Sequence, residues 1–438
     1  MKAKRREIDR ISLLFPSNCG IYKEKQDGKG VGSMIDFLNR RRTEILALLT
    51  TAAVFLVLMM FTGQWPWRAN DYNTYALQAD AWLHGRLDLG QDYPWLELAI
   101  YDGKYYASFP PFPSYVLLPF AACFGKNTPD HWIALAFAAL AVRYAAALYR
   151  EICGERGALL WVLFLVLGTG YPFIAVNGYV WFFAQSMCFA LSLMALTYAV
   201  RGAGGLALTL WACAVGCRPT AVLFLPVLLA LLRRAWRAEN PAQGLRVFLR
   251  RKLYWCAGPV LLAASYMALN FLRFGNVFEF GHNYLPEFVR APQGQFSLSY
   301  IPENLSNLFR LPQWKGEELP LEFPLTNGMA LWLVNPMLLA IAAAWGWAVW
   351  KKRREARFLL WALPSLSLIC LFVLCSHRTL GGWQFGNRYL LDLMPWLFCG
   401  LALWKPDKAA FDKACIPLFG FGAAVNFAGT ILAYNLWG

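Results

Sequence analysis

Residues 44–64 read EILALLTTAAVFLVLMMFTGQ, and this stretch decides the fold, because after Glu44 it carries no charged residue. About 20 apolar residues rising 1.5 Å each are enough to cross the hydrocarbon of a bilayer. Arg40-Arg41-Arg42 stands just before it, and Trp65 and Trp67 follow as an interface belt. The basic side of a span stays in the cytoplasm, so the first span is expected to run outward.

The rest of the chain repeats the pattern. Of 438 residues, 58% are hydrophobic, 16% aromatic and only 15% charged. A soluble domain carries more charge, and the apolar blocks leave no room for a large one. Lys plus Arg number 41 against 26 Asp plus Glu, a formal net charge of +15. These basic residues cluster at span ends without any nucleic-acid motif, which excludes nucleic acid as a partner and leaves the membrane as their explanation. Eleven cysteines show no C-x-x-C and no zinc spacing. Cys213, Cys217 and Cys370 fall inside apolar segments, and no disulfide framework is expected. Residues 1–43 read as a basic cytoplasmic tail without a cleavable signal peptide, with Met34 as an alternative start.

Charge then sets the topology. The expected spans are 44–64, 130–149, 157–175, 179–200, two half-spans within 204–233, 253–272, 328–350, 357–376, 389–404 and 413–436. This is an all-α polytopic membrane protein with about eleven transmembrane helices in residues 44–438. Arg150, Arg201, Arg233-Arg234, Arg246 to Lys252 and Lys351 to Arg354 all fall inside. Arg218-Pro219 breaks the apolar block 204–233, since proline removes a helical hydrogen bond, and Arg218 is expected at an outer tip. Residues 111–125 are too short to span and read as re-entrant or tilted. Two polar outer loops remain, 65–111 and 273–327. In the first, Tyr72 to Leu83 is expected to form an amphipathic helix lying on the membrane.

The first outer loop concentrates acids: Asp71, Asp80, Asp88, Asp92, Glu97 and Asp102. A carboxylate at the bilayer edge is partly desolvated and suited to accept a proton from a hydroxyl. Arg218, Arg273 and Arg388 stand at outer span ends, where arginine is not the usual residue. A guanidinium fork matches phosphate oxygens. Arg218 and Arg388 are therefore expected to hold a lipid phosphate. His84, His282 and His377 also fall outside, with no metal-ligand spacing; they suit acceptor binding, with a divalent cation as an alternative and no metal site assigned.

Three stretches then resemble the GT-C superfamily of membrane glycosyltransferases, above all its bacterial branch similar to protein O-mannosyltransferases. They are Asn70-Asp71-Tyr72-Asn73-Thr74-Tyr75 with Gly85-Arg86-Leu87-Asp88-Leu89, then Tyr101-Asp102-Gly103-Lys104-Tyr105-Tyr106 leading into Phe109-Pro110-Pro111-Phe112-Pro113-Ser114, and Gly381-Gly382-Trp383-Gln384-Phe385-Gly386-Asn387-Arg388-Tyr389. Cys217-Arg218-Pro219-Thr220 is similar to a recurrent turn in that group. The resemblance implies a GT-C-like bundle in the bacterial inner membrane with its site on the outer face. It implies a polyprenyl-phosphate-linked sugar as donor, a lipid, glycan or protein as acceptor, and inversion at the anomeric carbon. Asp71 becomes the expected general base. Asp102, Tyr105, Tyr106, His84 and His282 become the expected substrate-binding residues. Members with adjacent acids at this position differ from the single Asp71 here, and no soluble C-terminal domain follows, which argues against N-glycosylation.

Two other readings compete. A transporter or flippase places charges along a path inside its spans, whereas these spans read as nearly charge-free. An envelope polysaccharide ligase or polymerase, or an enzyme adding a sugar to lipid A, uses a similar carrier and differs only in the acceptor.

Overall fold

The computed structural model describes residues 41–315, 319–352 and 357–436. Most of the expected tail, Met34 and the pair Arg353-Arg354 lie outside the described residues. Among the described residues, seven helices are long and apolar enough to cross a membrane: Arg42–Thr62, Asp130–Cys153, Val180–Val200, Pro219–Glu239, Leu245–Phe274, Arg357–Cys375 and Ala409–Asn435. Shorter apolar helices run over Ala158–Leu167, Gly204–Val215, Met337–Trp350 and Met394–Trp404.

The breaks follow local chemistry. Helix Gly204–Val215 stops before Arg218, and Pro219 opens a 3-10 turn, Pro219–Phe224, that leads into Leu225–Glu239. Pro336 separates the single turn Leu331–Val334 from Met337–Trp350. Gly168-Thr169-Gly170 interrupts the stretch 157–175 in the same way, between Ala158–Leu167 and Tyr171–Ala175. The late stretch 389–404 is divided into a 3-10 turn, Arg388–Asp392, and the helix Met394–Trp404.

Helix Val180–Val200 is the axis of the bundle and is buried almost along its whole length, packed between Asp130–Cys153 and Gly204–Val215. Leu245–Phe274 is the opposite case, since its apolar side chains are mostly exposed. An apolar helix without protein around it is one that faces lipid.

The loops hold more structure than their composition suggests. Leu98–Tyr101 pairs antiparallel with Lys104–Ala107, with Tyr101 opposite Lys104. The turn residues Asp102 and Gly103 have φ of 49° and 68°, the left-handed pair that a two-residue hairpin turn requires. A second hairpin joins Gln313–Lys315 to Leu319–Glu322.

Helix Thr74–Leu83 corrects the expectation of an amphipathic helix on the membrane surface. Thr74 to Ala79 and Ala81 are all buried. Ala76, Ala79 and Ala81 are small enough for protein to close on several sides, and the buried Gln78 accepts a hydrogen bond from Ser114 Oγ at 2.8 Å. Its partner is the thirteen-residue helix Phe112–Phe124.

Candidate functional site

The glycine-rich stretch 381–388 builds one wall. Gly381, Gly382 and Gly386 take φ of 110°, 64° and 78°, conformations that side-chain-bearing residues rarely adopt. The loop folds back so that Arg388 Nε donates to Gly381 O at 3.0 Å, and Gln384 Oε1 accepts from Arg388 N at 2.6 Å. A Cβ on Gly381 would meet Arg388 Nε at 3.1 Å. Arg388 is only 6% exposed, and its Nη1 has no hydrogen-bond partner.

Arg218 arrives from the break between two helices. Its Nε donates to Asp392 Oδ2 at 2.9 Å. Gln185 Nε2, from the central helix, donates at 2.7 Å both to Asp392 Oδ1 and to Arg388 O. One amide therefore ties both arginine supports together. Both cations lie against the Tyr389 ring, its centroid 4.7 Å from Arg218 Cζ and 4.8 Å from Arg388 Cζ, close enough for cation–π attraction.

The first outer loop supplies the facing wall. Glu97 Oε2 accepts from Trp181 Nε1 at 2.9 Å. Its side chain is accessible to solvent yet surrounded by protein, as a group lining a concavity would be. Burial pushes its carboxyl above the usual range and the nearby Glu287 adds to the rise; the Trp181 bond and the Arg388 charge oppose it.

His282 and His377 close the second loop over this wall, with ring centroids 6.0 Å apart. His282 Nδ1 lies 2.9 Å from Ser108 O, and His377 Nδ1 2.7 Å from Thr379 O. A carbonyl can only accept, so His282 Nδ1 carries the proton and leaves Nε2 as the ring's acceptor, whereas His377 Nδ1 also accepts from Thr379 N at 3.2 Å. Burial lowers both imidazoles to about 4, so both are neutral near pH 7.

Asp71 belongs to the same outer loop as Glu97. Asn70 is buried and anchors the loop by donating to Asp130 Oδ2 at 2.6 Å and Gly178 O at 2.9 Å. The Asp71 carbonyl accepts from Trp95 Nε1 at 2.9 Å, and its carboxylate is exposed with no hydrogen bond. The adjacent Tyr72 ring packs 5.2 Å from Trp181, the residue that holds Glu97.

The structure thus brings Arg218, Arg388, His282 and His377 together, while Asp71 stands exposed on the same outer loop as Glu97. Tyr106 is buried against Phe274 at 5.2 Å, and the Tyr105 carbonyl accepts from Leu89 N; both serve the hairpin. Arg273 is buried, with Nη1 donating to Ala107 O and Nη2 to Asn270 Oδ1. Asp102 is exposed at the hairpin tip, and His84 is exposed with Nδ1 on Asp80 O of its own helix. Sequence reasoning missed Asp392, Gln185, Tyr389 and Trp181, and took Glu97 as one loop acid among six. No group of three His, Cys, Asp or Glu side chains suited to a metal ion occurs among the described residues.

No protein-family model and no curated protein matches the sequence. Solved structures similar to it include the apo oligosaccharyltransferase of Archaeoglobus fulgidus, at 15% identity and a TM-score of 0.46, covering 89% of this chain and 56% of that one. AglB of the same organism, solved with an inhibitory peptide and a dolichol-phosphate, gives 14% identity and a TM-score of 0.47 over 91% and 56%. ArnT from Cupriavidus metallidurans, bound to undecaprenyl phosphate, gives 15% identity and a TM-score of 0.46 over 90% and 76%. The chain spans 56% of the length of the archaeal proteins.

Proposed function

We propose that this chain is a GT-C-type membrane glycosyltransferase that takes a sugar from a polyprenyl-phosphate carrier. The observation that carries the reading is the Arg388 guanidinium: buried, beside a second arginine, with a nitrogen that no protein group satisfies. A buried donor left without a partner costs about 1–3 kcal/mol, and more when charged. An anion is the ligand that removes that cost, and a lipid phosphate reaches this depth.

The chemistry then needs few groups. The acceptor hydroxyl oxygen bonds to the anomeric carbon as the bond from that carbon to the phosphate oxygen breaks. The electron pair goes to the phosphate, where Arg218 and Arg388 stabilise it. The hydroxyl proton goes to the Asp71 carboxylate, which no protein donor occupies. Attack opposite the leaving group inverts the anomeric carbon. Glu97, His282 and His377 are placed to orient the sugar; Asp102 and His84 take no part.

The outer-face assignment rests on the basic clusters. Arg233-Arg234 and Lys351-Lys352 lie at the far ends of the helices whose near ends approach the site.

The test uses the full chain in nanodiscs supplied with polyprenyl-phosphate-linked sugar. Asp71→Asn should keep lipid binding and lose transfer by about 100-fold or more. Undiminished transfer by Asp71→Asn rejects the base assignment. A copurifying lipid without any phosphate, seen by mass spectrometry, rejects the donor class.

A further inference from the structure

The helix Ile301–Asn307 in the second outer loop turns two of its polar side chains into the protein: Asn304 is 2% exposed and Asn307 is also buried, while Glu303 and Ser306 stay exposed. Asn304 Nδ2 donates to Cys375 O at 3.0 Å and to His377 O at 2.7 Å. Several apolar side chains in and around it point outward, although Leu308 is buried: Leu298 is 70% exposed, Leu305 46% and Phe309 53%, with Leu311 and Trp314 continuing the row. A row of exposed apolar side chains of this kind marks an interaction surface.

Two further observations fix what covers this face. The first is depth. The carbonyls that Asn304 caps belong to the last turn and the exit of helix Arg357–Cys375, where a helix end leaves unsatisfied acceptors. The short helix therefore lies level with the end of a membrane-length helix. The second is continuity. That long helix exposes Leu368, Ile369 and Phe372, the side a spanning helix turns to lipid. The two elements are packed together at that helix end. Phe309 extends the surface to Trp332, ring centroids 6.1 Å apart, and tryptophan is the residue favoured at a membrane–water boundary.

We propose that residues 298–314 form a membrane-seated foot whose partner is the phospholipid of the leaflet on the side of the site. Just upstream in the same loop, Phe296 bridges to His377 and Phe288 packs 5.2 Å from His282. Seating the foot in lipid therefore holds the histidine wall of the site at a fixed height above the bilayer.

The test is photocrosslinking of the full chain in phosphatidylcholine nanodiscs. p-Benzoylphenylalanine replaces Leu305 or Phe309, with Phe372 as the lipid-facing control and Asp92 as the exposed-loop control. Irradiation should give adducts of one phospholipid mass at 305, 309 and 372 and none at 92. If 305 and 309 stay unmodified like 92 while 372 reacts, the foot is in water and the proposal falls. Adducts with protein at 305 and 309 would assign the face to a protein partner and overturn it equally. Neither result depends on whether the chain transfers a sugar.

Discussion

Two buried ion pairs stand at the two ends of the helix Met394–Trp404, about 16 Å apart along an eleven-residue helix. Before it, Arg218 meets Asp392. After it, Lys405 Nζ meets Asp412 Oδ1 at 3.1 Å, and Trp161 Nε1 donates to the same oxygen at 2.8 Å. The Lys405 and Asp412 side chains are only 4% and 10% exposed. Arg218, by contrast, keeps 21% exposure while Asp392 keeps 4%, and it binds through Nε, which leaves the far nitrogens of its fork for something else. The first pair leaves the outer part of its guanidinium partly open, whereas the second is closed in by Trp161 as a staple between chain segments. A buried pair is therefore a clue to function only when one partner has donors left over.

The largest effect expected at the site end is on transfer. Arg388→Lys keeps the charge but loses the fork, and transfer by the purified variant should fall by about 100-fold or more with the thermal midpoint little changed. Full transfer would place the phosphate elsewhere. At the staple end the effect should fall on stability alone. Lys405→Met leaves Asp412 buried without its cation and should cost about 3–5 kcal/mol, while the folded fraction transfers normally. Reduced transfer per folded molecule would erase the contrast between the two ends.

The smallest effect concerns pH. His282 and His377 are lowered to about 4 from the usual 6.5, so the folded state binds fewer protons than the unfolded one in between. Their contribution to stability is complete above about 6.5 and is lost as pH falls through about 4. Glu97 is raised and acts in the opposite sense, since its contribution is lost as pH rises. Thermal midpoints measured from pH 7 down to pH 4 should fall for the natural chain and fall less for His282→Gln with His377→Gln. An unchanged slope would mean that these imidazoles are not held neutral by the fold.

Much of this was readable in the sequence. Long apolar runs made the helices plain, and Arg218 and Arg388 stood out because cations sat at the wrong ends of spans, next to proline and glycine. Asp392 was overlooked although its signal was present: a lone acid four residues after Arg388 in an apolar run, where a charge needs a partner. Glu97 could not be separated from five other acids, because its distinction is three-dimensional, given by the Trp181 indole and the nearby Arg388. The Asp102-Gly103 pair between short aromatic and aliphatic runs is a hairpin signal that the loop's polarity masked. The helix Thr74–Leu83 looked amphipathic because alanine and threonine do not reveal from sequence whether they meet solvent or protein.

The Tyr389 ring has one more consequence. It holds two like charges a few ångströms from its centre, and the charge on Arg218 works against that on Arg388. The arginine pair is thus electrostatically tense. Whatever anion settles there relieves a repulsion as well as gaining bonds, so occupancy and rigidity should rise together. An anion held this way is correspondingly slow to leave.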